Sequence, residues 1–444
     1  MATRARSCAS VVRRLTAPCA PQTVRLAVMS ARPASRTVPP SAAQRSVRRT
    51  TLVPPPDRYV NRELSWLAFN RRVLDEAANP ANPPLERCRF LAIFESNLDE
   101  FYMVRVSGLI EQVETGVVES SPDGLSPAEQ LGRIASAVGP MRRTACELWR
   151  DELQPLLAAA GVQLLAWDEL DGRQQADLRR RFKQEVFPVC TPLVLDPAPS
   201  VAFISNRSLN LAVLVEDGGE IAKLARVKVP DVLPRAVRVG RQGHVFVLLE
   251  DVMAHHLDQL FPGVPLSPAS RFRVIRDADI EIRELEADDL IDMIEETLRK
   301  RRFGHPVRLD VGREMPAAVR DRLVRLLDLE PRDTYAVDGL LGFGVLDELA
   351  DMHVPAVRWA PHKPYAAATL CESDTFFATV RSGDVLLHHP FDGFQPVECM
   401  VAAAASDPAV IGIKQTLYRV GARSPIVEAL LAAADAGKQV AVMV

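Results

Sequence analysis

Cysteine is scarce in this sequence. Seven occur in 444 residues, at positions 8, 19, 88, 146, 190, 371 and 399, and no two have C-x-x-C spacing. An odd, scattered set excludes a disulfide framework and a thiolate zinc site, and fits free thiols in a reducing compartment. Aromatic residues make up only 6%. Every apolar stretch is broken by Arg, Asp or Pro before the roughly 18–20 residues that a membrane-spanning helix needs. There is no G-x-x-x-x-G-K-[ST] phosphate loop, no G-x-G-x-x-G, no G-x-S-x-G and, among eight histidines, no H-E-x-x-H. Acidic residues are missing from the first 56 positions, which carry ten Arg and no Lys. Without those ten, 44 basic residues face 57 acidic ones over 57–444, a net of −13. A mildly acidic body argues against non-specific nucleic-acid binding, so any polyanion site must be a local basic cleft.

The remaining composition, 48% hydrophobic and 25% charged, is that of a globular protein of two to four domains. Residues 1–57 read as a disordered tail rich in Arg, Ser and Pro. The first 56 of them have the acid-free, Arg- and Ser-rich character of a transit peptide. A disordered extension, or a start codon placed too early with Met29 as an internal candidate, is the preferred reading.

From 58 to 161 the pattern is helical. Leu64, Leu67 and Leu74 form one stripe, widened by Trp66, Phe69 and Val73. Pro80, Pro83 and Pro84 end that helix and start a second, carrying Phe90, Leu91 and Phe94. Ser126-Pro127-Ala128-Glu129 is a capping box with proline at the first helical position. The helix it opens should kink at Pro140 and stop near Gly161. Residues 162–355 read as mixed α+β, with strands at Leu209–Val215, Ala222–Val229, Val245–Leu249 and Arg271–Ile282. The first two are joined through Asp217-Gly218-Gly219. Helices are expected at Asp288–Arg302 and through Val319, Leu323, Leu326 and Leu327. Over 356–444, a buried strand Val410–Tyr418, a helix Pro425–Ala436 closed by Gly437 and a strand Gln439–Val444 form a βαβ unit, the start of a parallel sheet.

Three constellations could carry chemistry. In Glu95-Ser96-Asn97-Leu98-Asp99-Glu100-Phe101, read as a junction of two helices, Ser96 or Asn97 could cap the helix that begins with Asp99 and Glu100. The alternative is that the Asn97 amide faces a ligand. His388-His389 precedes a Pro turn, and adjacent strand residues point to opposite faces, which disfavours one shared metal ion. His255-His256 reads as an exposed helical pair. In Lys414-Gln415-Thr416-Leu417-Tyr418-Arg419-Val420, Arg419 follows a parallel strand and precedes a helix start, where a guanidinium beside free backbone N–H groups can hold phosphate. A plain surface arginine fits that spacing equally well.

At these residues the chain resembles the long, phosphohistidine-forming bacterial polyphosphate kinases. Tyr59-Val60-Asn61-Arg62-Glu63-Leu64-Ser65-Trp66-Leu67-Ala68-Phe69-Asn70 is similar to the start of that family's helical N domain, and Ser96–Phe101 to its most recognisable segment. Arg276-Asp277-Ala278-Asp279, Asp384–Phe394 and Ile413–Val444 extend the resemblance through the head domain into the first C-terminal domain. The resemblance implies a multidomain α+β protein: a helical N domain on the ATP side (58–161), a head domain that oligomerises (162–355), and the beginning of a phospholipase D-like α/β domain (356–444). It implies reversible transfer of the terminal phosphate of ATP to inorganic polyphosphate through a phosphohistidine, with Mg2+ accompanying ATP. Asn97 matches the asparagine that contacts ATP. Arg419 matches an arginine of the phosphate–magnesium site and, as a cation, would hold phosphate oxygens and not the metal. It further implies a cytoplasmic homo-oligomer, with peripheral membrane association allowed.

The family's phosphohistidine lies in an H-x-K motif, and no histidine here has that context; His362-Lys363 lacks the spacing. The expectation is therefore a C-terminally truncated polyphosphate kinase, inactive alone. The alternative is a non-catalytic fragment that binds ATP or assembles with longer subunits.

Overall fold

The computed structural model describes residues 56–195, 204–216, 222–240, 243–278, 304–365, 376–418 and 424–443. The Arg-rich tail, the Asp217–Gly219 turn, the strand residues past 278, the helix expected over 288–302 and Arg419 lie outside them.

Helix α1 (Arg62–Ala78) begins at Asn61, whose side-chain oxygen accepts from the backbone N–H groups of Glu63 and Leu64, both at 3.0 Å. Proline at the first position opens α2 (Pro84–Phe101). No proline or glycine follows until Gly108. The chain therefore continues through a π-type turn (Tyr102–Val106) directly into α3 (Ser107–Glu114). This corrects the expected helix junction at 95–101: with nothing to break the backbone ladder, Ser96 and Asn97 lie inside a helix and cap nothing. The capping box at Ser126 and Glu129 forms as expected and opens α4 (Pro127–Glu147). That helix passes through Pro140 as one element. The departure from α geometry comes later, in a π-type turn at Leu148–Leu153, before α5 (Gln154–Ala159). Gly161, at φ 84°, supplies the left-handed residue that ends it.

Strands follow. β1 (Val162–Leu165) lies parallel to β6 (His244–Leu248), which pairs on its other side with β5 (Ala236–Arg238). Helix α6 (Gly172–Arg181) comes after β1, and α7 (Leu249–Ala254) directly follows β6. The larger sheet has six strands in the order β2 (Pro192–Val194), β4 (Lys223–Lys228), β3 (Leu209–Val215), β7 (Ser270–Arg276), β8 (Pro306–Gly312), β9 (Thr334–Val337). It is antiparallel except at its β8–β9 edge.

Side chains alternate across this sheet, so it serves two cores. One face carries Leu211 and Val213 into a core shared with Leu74, Phe94, Ile134, Leu153, Val247 and Leu346, so helices and sheet are packed together. The other carries Ala212 and Phe272 against Leu323 of α8 (Ala317–Leu326). Helix α9 (Gly344–Ala350) packs on α2, where Arg89 donates to the Ala350 carbonyl at 3.2 Å.

The last part comprises α10 (Phe376–Ser382), α11 (Gln395–Ser406), β10 (Gly412–Thr416), α12 (Pro425–Asp435) and β11 (Gln439–Met443). The two strands are parallel, with Gly412 opposite Gln439 and Thr416 opposite Met443, so the expected βαβ unit is present. Its strands are not buried, contrary to expectation. Ile413, Leu417 and Val440 meet Ile426 and Leu430, while Ile411 and Tyr418 are 87% and 93% exposed. The described helices cover only one face of a two-stranded sheet, whereas parallel sheets are stable with both faces covered. The expected mixed α+β architecture with a helical N-terminal part is the one observed.

Candidate functional site

Helix α2 carries different chemistry on its two sides. Ile93, Ser96, Asn97 and Glu100 follow i, i+3, i+4, i+7 spacing and face outward; Glu95, Leu98 and Asp99 face inward.

On the outward side, Asn97 is half-buried and its Nδ2 donates to Asn70 Oδ1 of α1 at 3.1 Å. Asn70 is fully buried, and its own Nδ2 donates to the Phe94 carbonyl at 3.0 Å. One turn along both helices, Trp66 stacks on Phe101 with ring centroids 4.6 Å apart. Trp66 is half-buried, and its neighbour Phe69 is 46% exposed with the Arg72 guanidinium over its ring. The expected apolar stripe is thus corrected at two places. Phe69 leaves the core for the surface, and Asn70 takes the core position beside Leu67, Leu74 and Ala77. The face that results combines an amide, with free hydrogen-bonding capacity, and two accessible aromatic edges.

The inward side is ionic. Asp99 accepts from Arg273 of β7 on both oxygens, the Nη1 contact at 3.0 Å, and from Arg308 of β8 at 2.6 Å; Arg207 lies 3.4 Å away. The same Arg308 nitrogen donates to Asp310 at 3.0 Å, and Asp310 also accepts from Arg142 of α4. Glu95 approaches Arg273 at 3.6 Å and accepts from the Phe343 backbone N–H. Four guanidiniums thus face three carboxylates, nearly all out of water. Arg308 lies over the Tyr102 ring at 4.7 Å, Arg142 over Tyr335 at 5.0 Å, and the two tyrosine hydroxyls are 2.7 Å apart. Burial alone would raise the Asp99 pKa, but the charges of Arg273, Arg308 and Arg207 outweigh it and hold the carboxylate below its usual range. The same opposition, with Arg142 and Arg308 prevailing, brings Asp310 down to about 2. This cluster joins helix α2 to the six-stranded sheet.

Sequence reasoning missed both Asn70 and the cluster. A signal for Asn70 existed: a polar residue at a position that helical periodicity assigns to the core. Arg308 and Asp310 also break the apolar run of β8 at i, i+2 spacing, which puts them on one face, yet their partners Asp99 and Arg142 lie 209 and 168 positions away in sequence.

The histidines depart from expectation. His256 is buried, stacked on Phe182 at 4.9 Å and edge-on to Trp167, not exposed; only His255 of that pair reaches solvent. His388 and His389 lie in an irregular loop and not at a strand end: the Asp392 side chain accepts from the His388 backbone N–H, and the Asp392 carbonyl lies 2.9 Å from His389 Nδ1. Asp392 holds this turn and forms an isolated parallel bridge with Tyr365. Among the described residues no group of three or more His, Cys, Asp or Glu could hold a metal ion. Thr416 ends β10, as the phosphate-site reading requires, but Arg419 itself lies outside the described residues, so its distance from Asn97 is not part of this geometry. No helix among the described residues is long and apolar enough to cross a membrane.

Comparison with known proteins matches three family models in sequence order. These are the polyphosphate kinase N-terminal domain at residues 59–165, the middle domain at 173–349 and C-terminal domain 1 at 375–444. The polyphosphate kinase 1 of Chlorobaculum tepidum is 44% identical over 400 residues, covering 88% of this chain and 57% of that protein. The polyphosphate kinase of Mycolicibacterium gilvum is 44% identical over 402 residues, covering 88% and 55%. The crystal structure of polyphosphate kinase from Porphyromonas gingivalis superposes with a TM-score of 0.70 at 29% identity, over 86% of this chain and 55% of that one. The chain spans about half the length of the curated relatives it matches. With all three models in order and both sequence and structure in agreement, the chain belongs to the polyphosphate kinase family.

Proposed function

We propose that the chain serves reversible transfer of the terminal phosphate of ATP to inorganic polyphosphate, and that its helical part receives the adenine end of ATP at Asn97. One observation carries the second statement: a partly exposed amide held by Asn70, on the same pair of helices that carries the stacked Trp66 and the exposed Phe69 about one turn away. An amide edge beside aromatic surface suits a base, which needs stacking and edge hydrogen bonds, better than a triphosphate, which needs cations.

The phosphate end requires positive charge, and Arg419, at the turn after β10, is our candidate for it. Among the described residues no group of three or more His, Cys, Asp or Glu could hold a metal ion, and the buried carboxylates are taken up by arginines, so we place Mg2+ on the phosphate oxygens of ATP and not in a protein cage. In the two-step chemistry proposed for the family fold, an imidazole takes the phosphoryl group and yields it to the polymer, so each displacement needs only in-line placement and charge neutralisation. We assign that imidazole to none of the eight histidines in these 444 residues, since none stands in H-x-K. Completion of the phospholipase D-like half, homo-oligomerisation through the middle domain and a cytoplasmic setting belong to the same proposal.

Calorimetric titration of the purified chain with MgATP tests it. Asn97→Ala should weaken ATP binding about tenfold, the worth of a good edge contact. Equal affinity of the variant and the parent would overturn the placement.

A further inference from the structure

We propose that Asn70 is a positioning residue which fixes the direction of the Asn97 carboxamide, and that this makes the site favour a 6-amino purine over a 6-oxo purine. The proposal rests on the reading that Asn97 meets the base.

Asn70 is fully buried, so its amide must be satisfied by protein groups. One end lies 3.0 Å from the Phe94 carbonyl oxygen, which can only accept; that end is therefore Nδ2. Phe94 belongs to the body of α2 and cannot turn away. The other end, Oδ1, can then only accept, so Asn97 must answer with its own Nδ2, at 3.1 Å. Reversing Asn97 would set two carbonyl oxygens against each other in a buried place. The direction of a surface amide is thus dictated by a backbone carbonyl one residue pair behind it.

What remains for a ligand is Asn97 Oδ1, an acceptor, with the second N–H of Nδ2 beside it; Asn97 makes no other hydrogen bond among the described residues. A freely rotating carboxamide is ambidextrous. It can offer its oxygen to the N6–H of adenine, or flip and offer N–H to the O6 of hypoxanthine while its oxygen takes N1–H. Held in one direction, it keeps the first option and loses the second. An acceptor facing O6 rejects the base because two acceptors cannot pair.

Calorimetric titration of the chain with MgATP and with Mg-inosine triphosphate tests this. In the parent chain ATP should bind about tenfold more tightly than inosine triphosphate. Asn70→Leu, close in volume and without hydrogen bonds, should bring that ratio to within about twofold, chiefly through a gain for inosine triphosphate. A purely structural role for Asn70 would lower the melting temperature and leave the ratio standing. If Asn70→Leu does not fold, Asn70→Ser carries the same expectation. Asn97→Ala separates the two levels of the argument. A collapsed ratio in Asn97→Ala with an intact ratio in the Asn70 variants overturns the positioning role alone. An unchanged ratio in Asn97→Ala overturns the base contact and the positioning role with it. A parent ratio near one overturns the specificity outright.

Discussion

Asp99→Asn is the sharpest probe of the junction between the helices and the six-stranded sheet. The substitution keeps volume and removes one charge from a cluster in which four guanidiniums already face three carboxylates. Arg273 loses its two-oxygen partner, and Arg308, wholly buried, keeps only Asp310. An uncompensated buried charge of this kind costs about 3–5 kcal/mol. In urea, with a slope of about 3 kcal/mol/M, the midpoint should fall by roughly 1–1.7 M. Trp66 and Trp149 lie in or beside the affected core, so intrinsic fluorescence reports the transition. The pH dependence has a definite sign. Asp99 and Asp310 have depressed pKa values when folded, so their contribution is complete above the unfolded value near 3.8 and is lost as pH falls through the folded ones, about 2 for Asp310. Asp99→Asn should therefore flatten the parent's loss of stability between pH 4 and pH 2. A midpoint within about 0.3 M of the parent at neutral pH would refute the view that Asp99 holds these arginines in place.

Three further outcomes follow from the same structure. Arg308→Met should cost less than Asp99→Asn, about 2 kcal/mol or under by urea melt, because it also removes two buried N–H-bearing nitrogens that have no hydrogen-bond partner and leaves the charges balanced. Ser126→Ala, which opens the capping box of α4, should cost about 1 kcal/mol, read as a fall in melting temperature. Burial pushes the Cys88 thiol up to about 12 and Cys146 up to about 11, so both should resist iodoacetamide at pH 8 in the native chain and react once it is unfolded, as read by peptide mass mapping.

Elements marked by local signals were legible. Ser126 and Glu129 announce their helix because a capping box is satisfied within four residues, and Gly161 and Gly437 mark helix ends because both adopt positive φ. The strand at 209–215 and the parallel pair of 412–416 with 439–443 were legible from periodicity and spacing. Burial was harder. His256 and Asn70 look polar, yet Phe182 with Trp167 encloses one and helix α2 encloses the other. Val410–Tyr418 looks buried, yet the described helices cover one face of its sheet. In sequence Asp99 reads as a helix-dipole residue, because its guanidinium partners, at 273 and 308, are joined to it only by tertiary structure. Resemblance marked Asn97, whereas the residue that orients it emerged only from the geometry.

Where the base of ATP rests is the decisive question for this site. Photolabelling the purified chain with an azido-adenine ATP, followed by trypsin and mass mapping, reads that directly. Label is expected on the tryptic peptides 63–71 and 90–105, which carry Trp66, Phe69, Asn70 and Asn97, and excess ATP should suppress it. Saturable, ATP-protected label confined to other peptides would contradict the account.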